Sequence, residues 1–469
     1  MKGNVDRKKY LIFFGAGYVG EKVCQYCATI GIRPDYFCDN DYQKWGIELL
    51  GIPVISPGEL QEMASYVEVV ITCVCYSEIL LKVQEMGVHR NNIFCDEDLV
   101  WRINRDLYQI LQYEIRVKDN KKKYDCVLDL SCGMVLGGVE NWVYTFGKYI
   151  ADMGVMGAYI VPLAREHTIE NGTLKRIIVD EKENPIDENM KCLIKTDPKV
   201  IICNFPFAFL KASCCYKKHL NNNVKIVAII HNDEDIYYKE YCKYKEYIDI
   251  CMTISSRMDK KIQDYGLKIR RLIWEIPPVV QKHVYSLDNE KIRIGYAGRV
   301  VRMAKRLDLF LLIAEKLRKE SIHFCISIAG SGEYEEELKK EIEIRKLQDM
   351  FCFYGYIVHE EISEFWLSQD IYLSCSEWEG HSITQCEAMA SGAVPIVTNT
   401  SGTEDDIING VNVYIVNVGD IDAIVDKINY FYRNRAQLCV FGENAQKSCR
   451  KNEEKYREQQ EFWKKLLFS

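Results

Sequence analysis

Two stretches decide the fold: Arg293–Leu317, RIGYAGRVVRMAKRLDLFLLIAEKL, and Ser376–Val397, SEWEGHSITQCEAMASGAVPIV. The first reads as a strand that turns at Gly298 and continues as a helix, with Leu307, Phe310, Leu311, Ala314 and Leu317 on one face. Arg299 and Lys305 bracket the turn. An arginine offers a planar fork for phosphate oxygens and a lysine a mobile point charge, so the pair suits a leaving diphosphate. Arg302 and Arg306 lie close by, and a merely solvated basic face stays open. In the second stretch Glu379 and Glu387 are separated by seven residues, a glycine following the first and a helix running through the second. Glu387 shares a helix face with Ile383, Cys386 and Ala390, and a carboxylate on an apolar side needs hydrogen-bond donors. A ribose diol supplies two; pairing with a basic neighbour is the equal alternative. The Gly380, His381 and Ser382 turn presents helix N-terminal amides suited to phosphate.

Working outward, Ile322–Lys340 adds a strand and a Gly330–Gly332 turn before another helix, and Phe351–Ser376 alternates strand, helix and strand. Upstream, a strand at Asp125–Ser131 leads through Gly137 and Gly138 into a helix with Trp142, Val143, Phe146 and Ile150 on one side. The turn is suited either to an anion or to packing alone. Strands at Lys199–Phe205, Val224–Asn232 and Ile248–Ser255 imply a further parallel sheet, and His231 ends one of them, at the edge where α/β folds bind ligands. Asp233, Glu234 and Asp235 superficially match a metal-holding acidic triplet, against which stands an ordinary solvated loop; no metal site is assigned. Lys211, Lys217 and Lys218 beside Phe209 and Leu210 suit either an anionic membrane surface or a plain helix surface.

The N-terminal segment Lys8–Gly31, KKYLIFFGAGYVGEKVCQYCATIG, followed by a strand ending in Asp39, opens a βαβ unit. Gly15, Gly17 and Gly20 fit the spacing that lets backbone approach a diphosphate, and Asp39 lies where a ribose hydroxyl is bound. A nucleotide in this module is therefore expected, an empty structural module being the alternative. Tyr18 and Lys22 lie in the turn itself and are rejected as a hydride-transfer pair. Cys24 and Cys27, three apart on a helix with no second pair, read as core rather than metal ligands. The module resembles small Rossmann units at the front of bacterial sugar-modifying and sugar-transfer enzymes, which implies a fold and no particular ligand.

The 469 residues predict about three domains. Acidic residues outnumber basic ones, 68 to 61, which disfavours nucleic acid as partner. Hydrophobic content of 48% excludes a mostly disordered chain. Twenty cysteines spread over so long a chain, many in apolar runs, fit reduced thiols in the cytoplasm. No signal-peptide pattern and no run of roughly 18 apolar residues occurs. A cytoplasmic protein with peripheral contact at the inner face of the membrane is the expectation.

The region from Ile292 to about Lys427 resembles the donor-binding domain of family 4 retaining glycosyltransferases, through GYAGRVVRMAKRLDLFL, IAGSGEYEEEL and EGHSITQCEAMASGAVPIV in order. LGGVENWV and the strand ending in His231 are similar to that family's acceptor domain. The resemblance implies an α/β chain of three Rossmann-like domains, the last two forming a GT-B pair around a cleft. Expected limits are 1–105 for the nucleotide-binding module, 106–123 for a linker, 124–285 for the acceptor domain, 286–450 for the donor domain and 451–469 for a C-terminal helix that either crosses back onto the acceptor domain or covers the donor domain. It also implies a nucleotide-diphosphate sugar as donor substrate, a glycan or lipid-linked hydroxyl acceptor, retention of configuration and no obligatory cofactor or metal. In that reading Arg299 and Lys305 hold the diphosphate, Glu379 and the amides after it the sugar, Glu387 the ribose, and His231 faces the reacting sugar. His381, PPVVQK at 277–282 and SGTEDD at 401–406 depart from the family pattern. The rivals are an oxidoreductase or epimerase centred on the first module, and a non-catalytic sugar-nucleotide sensor.

Overall fold

The computed structural model describes residues 9–29, 31–73, 76–117, 124–130, 138–163, 173–180, 184–263, 265–272, 283–286, 290–358, 361–377, 382–400 and 407–468. Three sheets follow one another along the chain. The first holds β1 (Tyr10–Phe14), β2 (Tyr36–Cys38), β3 (Glu48–Leu49), β4 (Ile52–Ile55), β5 (Val67–Ile71) and β6 (Ile93–Cys95), in the order β3-β4-β2-β1-β5-β6. The second holds β7 (Cys126–Asp129), β8 (Gly157–Pro162), β9 (Lys175–Val179), β10 (Val200–Cys203), β11 (Lys225–Ile230), β12 (Ile250–Thr253) and β13 (Ile269–Arg271), in the order β13-β12-β11-β10-β7-β8-β9. The third holds β14 (Ile292–Ala297), β15 (Phe324–Ala329), β16 (Phe351–Gly355), β17 (Ile371–Ser374), β18 (Val394–Thr398) and β19 (Tyr414–Val416), in the order β16-β15-β14-β17-β18-β19.

All named ladders are parallel except β3 with β4. Parallel strands are covered on both faces, which is why the central ones are unbroken apolar runs: Val200–Cys203 and Ile226–Ile230 are fully buried. Helices supply the cover. The helix Asp308–Lys319 buries Phe310, Leu311, Ala314 and Leu317 as its spacing predicts, and Gly138–Asp152 buries Trp142, Val143, Phe146 and Ile150. The helix Pro185–Thr196 begins with proline behind Asn184, whose side chain accepts the Ile186 and Asp187 amides at 2.9 and 3.0 Å.

Two long helices tie the sheets together. Asp96–Val117 runs on past residue 105 as a single helix; Tyr108 on it donates to Asp187 Oδ1 at 2.6 Å. Residues 118–123, the rest of the expected linker, lie outside the described residues. Ala436–Phe468 crosses from the third sheet to the second, where Trp463 packs on Phe146 and Trp142 with ring centroids 4.9 and 6.4 Å apart. Tyr149 donates to the Gln460 carbonyl at 2.6 Å.

The basic residues weighed for a membrane surface are each paired with an acidic side chain of the protein. Lys211 pairs with Asp96 at 2.6 Å and Lys218 with Asp98 at 2.8 Å, Lys217 pairs with Asp249, and Phe209 and Leu210 are buried. This stretch therefore joins the first module to the second sheet. Burial alone would raise the Asp96 carboxyl, but Lys211 beside it holds it well below the usual carboxylate range; burial pushes Glu97 up to about 7, partly offset by Lys243.

Candidate active site

At the C-terminal edge of the third sheet two glycine turns are stacked. Gly298 donates to the Ala329 carbonyl and Val300 to the Ser331 carbonyl, both at 2.9 Å. Gly330 has φ +130° and a Cβ there would sit 1.9 Å from the Gly298 oxygen, so only glycine fits. The Tyr296 hydroxyl donates to the Arg299 carbonyl at 2.7 Å and fixes the turn that carries the Arg299 side chain, which is exposed and has no carboxylate partner among the described residues.

The basic residues of this loop divide into two sets. Arg302 faces Glu337 at 3.4 Å, and Arg306 is held by Asp308 at 3.0 Å and by Glu377. Those two are neutralised locally and brace the loop, where Ala304 and Arg306 both take left-handed backbone. The Glu377 amide donates to the Ala304 carbonyl at 2.8 Å, tying the loop to the chain just ahead of the second expected element. Lys305 is half-buried on the same loop.

The helix Ile383–Ser391 starts at Ser382, whose hydroxyl accepts the Gln385 amide at 3.2 Å and lies 3.1 Å from the Tyr372 hydroxyl; Gly392, with φ +90°, ends it. Glu387 is 5% exposed, one turn on from Ile383 and on the same side. That side meets the second sheet's helix: a Cβ on Gly138 would lie 3.7 Å from Ile383 Cδ1. The N-termini of the helices Gly138–Asp152 and Ile383–Ser391 thus face each other across the two sheets. Gly137, Glu379, Gly380 and His381 lie outside the described residues.

On the opposing rim, Asp129 ends β7, Asn204 follows β10 and His231 follows β11. The Asn204 amide group donates to the Asp129 carbonyl at 2.8 Å, its backbone N–H donates to Asp129 Oδ1 at 2.6 Å, and its Oδ1 lies 2.9 Å from His231 Nε2. An amide oxygen only accepts, so Nε2 carries the proton and Nδ1 the lone pair. Burial pushes the His231 imidazole down to about 3, so it is neutral at ordinary pH. Its ring lies 6.0 Å from that of Trp142. Beside it Phe205 and Phe207 are parallel at 6.4 Å, Tyr237 lies edge-on to Phe207, and Phe207 is 51% exposed. Asp129, Asn204 and these aromatics are not singled out by the sequence; the available signal is the position of Asp129, Asn204 and Phe205 directly at or after strand ends.

Asp233 is occupied structurally: it accepts the Tyr238 hydroxyl at 2.6 Å and pairs with Lys261 at 2.7 Å. In the first module Gly15 has φ +122°, and a Cβ on Gly20 would meet the Gly15 oxygen at 1.9 Å, whereas Gly17 is open. Asp39 Oδ2 accepts the Ala16 amide at 2.7 Å and lies 3.2 Å from Lys44 Nζ. That carboxylate therefore braces the glycine turn itself. Cys24 and Cys27 are buried, and Tyr18 is exposed.

Comparison with known proteins bears on this arrangement. Residues 280–448 match the family described as glycosyl transferases group 1. Sucrose-phosphate synthase from Thermosynechococcus elongatus superposes over 73% of this chain and 99% of its own with a TM-score of 0.60 at 14% identity. The architecture is GT-B. HepE from Anabaena in complex with UDP shares this GT-B fold over 70% of this chain and 95% of its own, at a TM-score of 0.57 and 14% identity. Among sequence relatives, the mannosylfructose-phosphate synthase of Agrobacterium fabrum is 29% identical over 33% of this chain and 38% of its own length. The lipopolysaccharide core mannosyltransferase LpsB of Rhizobium meliloti is 28% identical over 40% and 55%. The chain thus spans between about two fifths and just over half of these relatives. No helix among the described residues is long and apolar enough to cross a membrane.

Proposed function

We propose that the protein is a glycosyltransferase that moves a sugar from a nucleotide-diphosphate donor to a hydroxyl on a glycan or lipid-linked acceptor, with retention of configuration, in synthesis of a bacterial surface polysaccharide or glycoconjugate. The observation that supports this reading is the approach of Gly138 to Ile383, where a Cβ on the glycine would lie 3.7 Å from the first side chain of the helix that carries Glu387. The names of the relatives, two of them sugar transfer or synthesis enzymes, support the same chemistry. UDP in the HepE complex makes a uridine nucleotide the first donor to try.

In this reading Arg299 and Lys305 neutralise the charge that grows on the departing diphosphate, the largest contribution to the rate. Glu387 accepts from the ribose hydroxyls, and Glu379 with Gly380, His381 and Ser382 contacts the donor sugar and phosphate. Gly137 and Gly138 form the facing edge, and Gly298 lets the diphosphate approach the turn. His231, neutral and giving its single N–H to Asn204, borders the reacting sugar but carries no imidazolium proton to supply as an acid. A diphosphate oxygen takes the acceptor proton on the face the leaving group vacates, so no protein nucleophile is required. Phe207, with Phe205 and Tyr237, offers an apolar flat surface to the acceptor. Peripheral membrane contact enters only with a lipid-linked acceptor. The Gly15, Gly17 and Gly20 turn remains a candidate nucleotide site that Asp39 serves by shaping the turn.

The test is transfer by Lys305→Ala and Glu387→Ala with a cognate donor. Each removes a charge-assisted contact of about 1.5–3 kcal/mol, and kcat/KM is expected to fall roughly tenfold or more, in the presence of a chelator as in its absence. Near-unchanged kcat/KM in both variants overturns the assignment.

A further inference from the structure

Away from the crevice, the edge of the third sheet carries a pair of thiols with no part in the transfer chemistry. Cys325 on β15 and Cys352 on the edge strand β16 have their sulfurs 3.7 Å apart. The register explains the contact. Ser327 is opposite Cys352 and Ile326 opposite Phe351, so Cys325, two residues before Ser327, points to the same sheet face as Cys352 and lies diagonal to it. Cys352 is exposed and Cys325 half-buried, whereas most other described cysteines are buried. Closing the 3.7 Å gap takes side-chain rotation together with a shift of the edge strand β16, because diagonal neighbours across a sheet stand farther apart than residues directly opposite.

We propose that Cys325 and Cys352 are a reversible redox modification site that forms an intramolecular disulfide by exchange with a small disulfide such as oxidised glutathione. The exposed Cys352, as thiolate, attacks one sulfur of the glutathione disulfide; that S–S bond breaks and one glutathione thiolate leaves. The Cys325 thiolate then attacks the Cys352 sulfur, and the second glutathione thiolate leaves. The protein dithiol loses two electrons, the glutathione disulfide gains them, and the two thiol protons end on the two glutathione molecules. Burial pushes the Cys325 thiol up to about 11, which fits it to the second, intramolecular step, where proximity compensates for a small thiolate fraction. The same two strands end at the donor turn: Ala329 is opposite Gly355, and the Gly330 amide donates to the Gly355 carbonyl at 2.6 Å. The bond therefore staples the start of a strand pair whose far end shapes the Gly298–Gly330 turns.

The experiment treats the folded, full-length chain with oxidised glutathione and reads each cysteine by alkylation and peptide mass spectrometry. The expected product joins the Cys325 and Cys352 peptides with loss of two hydrogen atoms, and dithiothreitol reverses it. Cys325→Ala is expected to accumulate a stable glutathione adduct on Cys352, and Cys352→Ser to lose the cross-link and leave Cys325 largely unmodified. The oxidised wild type is expected to melt at a higher temperature than the reduced form, a shift absent from both variants. A wild-type chain that keeps glutathione on Cys352 while Cys325 stays alkylatable overturns the proposal, as does a chain in which neither thiol reacts while the exposed Cys439 does.

Discussion

The buried His231 makes a prediction that is sharp in both sign and size. Its pKa falls from the ordinary 6.5 to about 3 because burial disfavours the imidazolium, while Asn204 fixes the neutral tautomer. A depressed imidazole binds fewer protons folded than unfolded, so its stabilising effect is complete above about pH 6.5 and is lost as pH falls from there toward about 3. At about pH 5, some 1.5 units into that window, the cost is about 2 kcal/mol at 1.36 kcal/mol per unit. The perturbation is His231→Gln, which retains an N–H for Asn204 Oδ1 but does not titrate. Urea unfolding of both proteins near pH 7.5 and near pH 5 provides the assay. Wild type is expected to lose about 2 kcal/mol more than the variant on acidification. Equal losses would refute the claim that the ring is held neutral by its surroundings, and with it the exclusion of His231 as a proton donor in transfer.

Two further outcomes follow from the same geometry. Asp370 is fully buried, pairs with Arg293 at 2.7 Å, faces the buried Arg435 at 4.0 Å and accepts the Ser286 hydroxyl at 2.6 Å, so Asp370→Asn leaves the buried Arg435 under-compensated and is expected to cost about 3–5 kcal/mol in denaturant unfolding; a loss below about 1 kcal/mol contradicts it. Phe207→Ala removes the exposed ring of the acceptor rim, so acceptor KM is expected to rise severalfold with kcat and donor KM little changed, and a change confined to donor KM would move this surface out of the acceptor site.

Local patterning carried much of the architecture. The apolar period of 308–319, the glycine turns and the unbroken apolar strands are short-range features, and they form as their spacing predicts. Glu387 was likewise legible as an acid on an apolar helix face. The less legible parts depend on partners distant in sequence. Lys211 reads as a surface charge until Asp96, 115 residues earlier, is beside it. Asn204 reads only as part of a strand until β7, β10 and β11 align their ends and place it between Asp129 and His231. Asp39 sits in the position of a ribose-binding acid, yet its carboxylate is directed at the Ala16 amide, a choice of rotamer that no spacing encodes. The edge strand β9, Lys175–Val179, alternates poorly because only one flank is paired and only part of it is buried.

The central claim is that the donor diphosphate binds at the Arg299–Lys305 turn of the GT-B cleft. Titrating UDP, and then other nucleoside diphosphates, into full-length wild type, Lys305→Ala and Asp39→Ala by calorimetry tests it directly, and the full chain is needed because removing the first module would strip Lys211 of Asp96. The account predicts that Lys305→Ala weakens the binding nucleotide roughly tenfold or more while Asp39→Ala leaves it unchanged. Binding that survives Lys305→Ala intact and is lost in Asp39→Ala would contradict it.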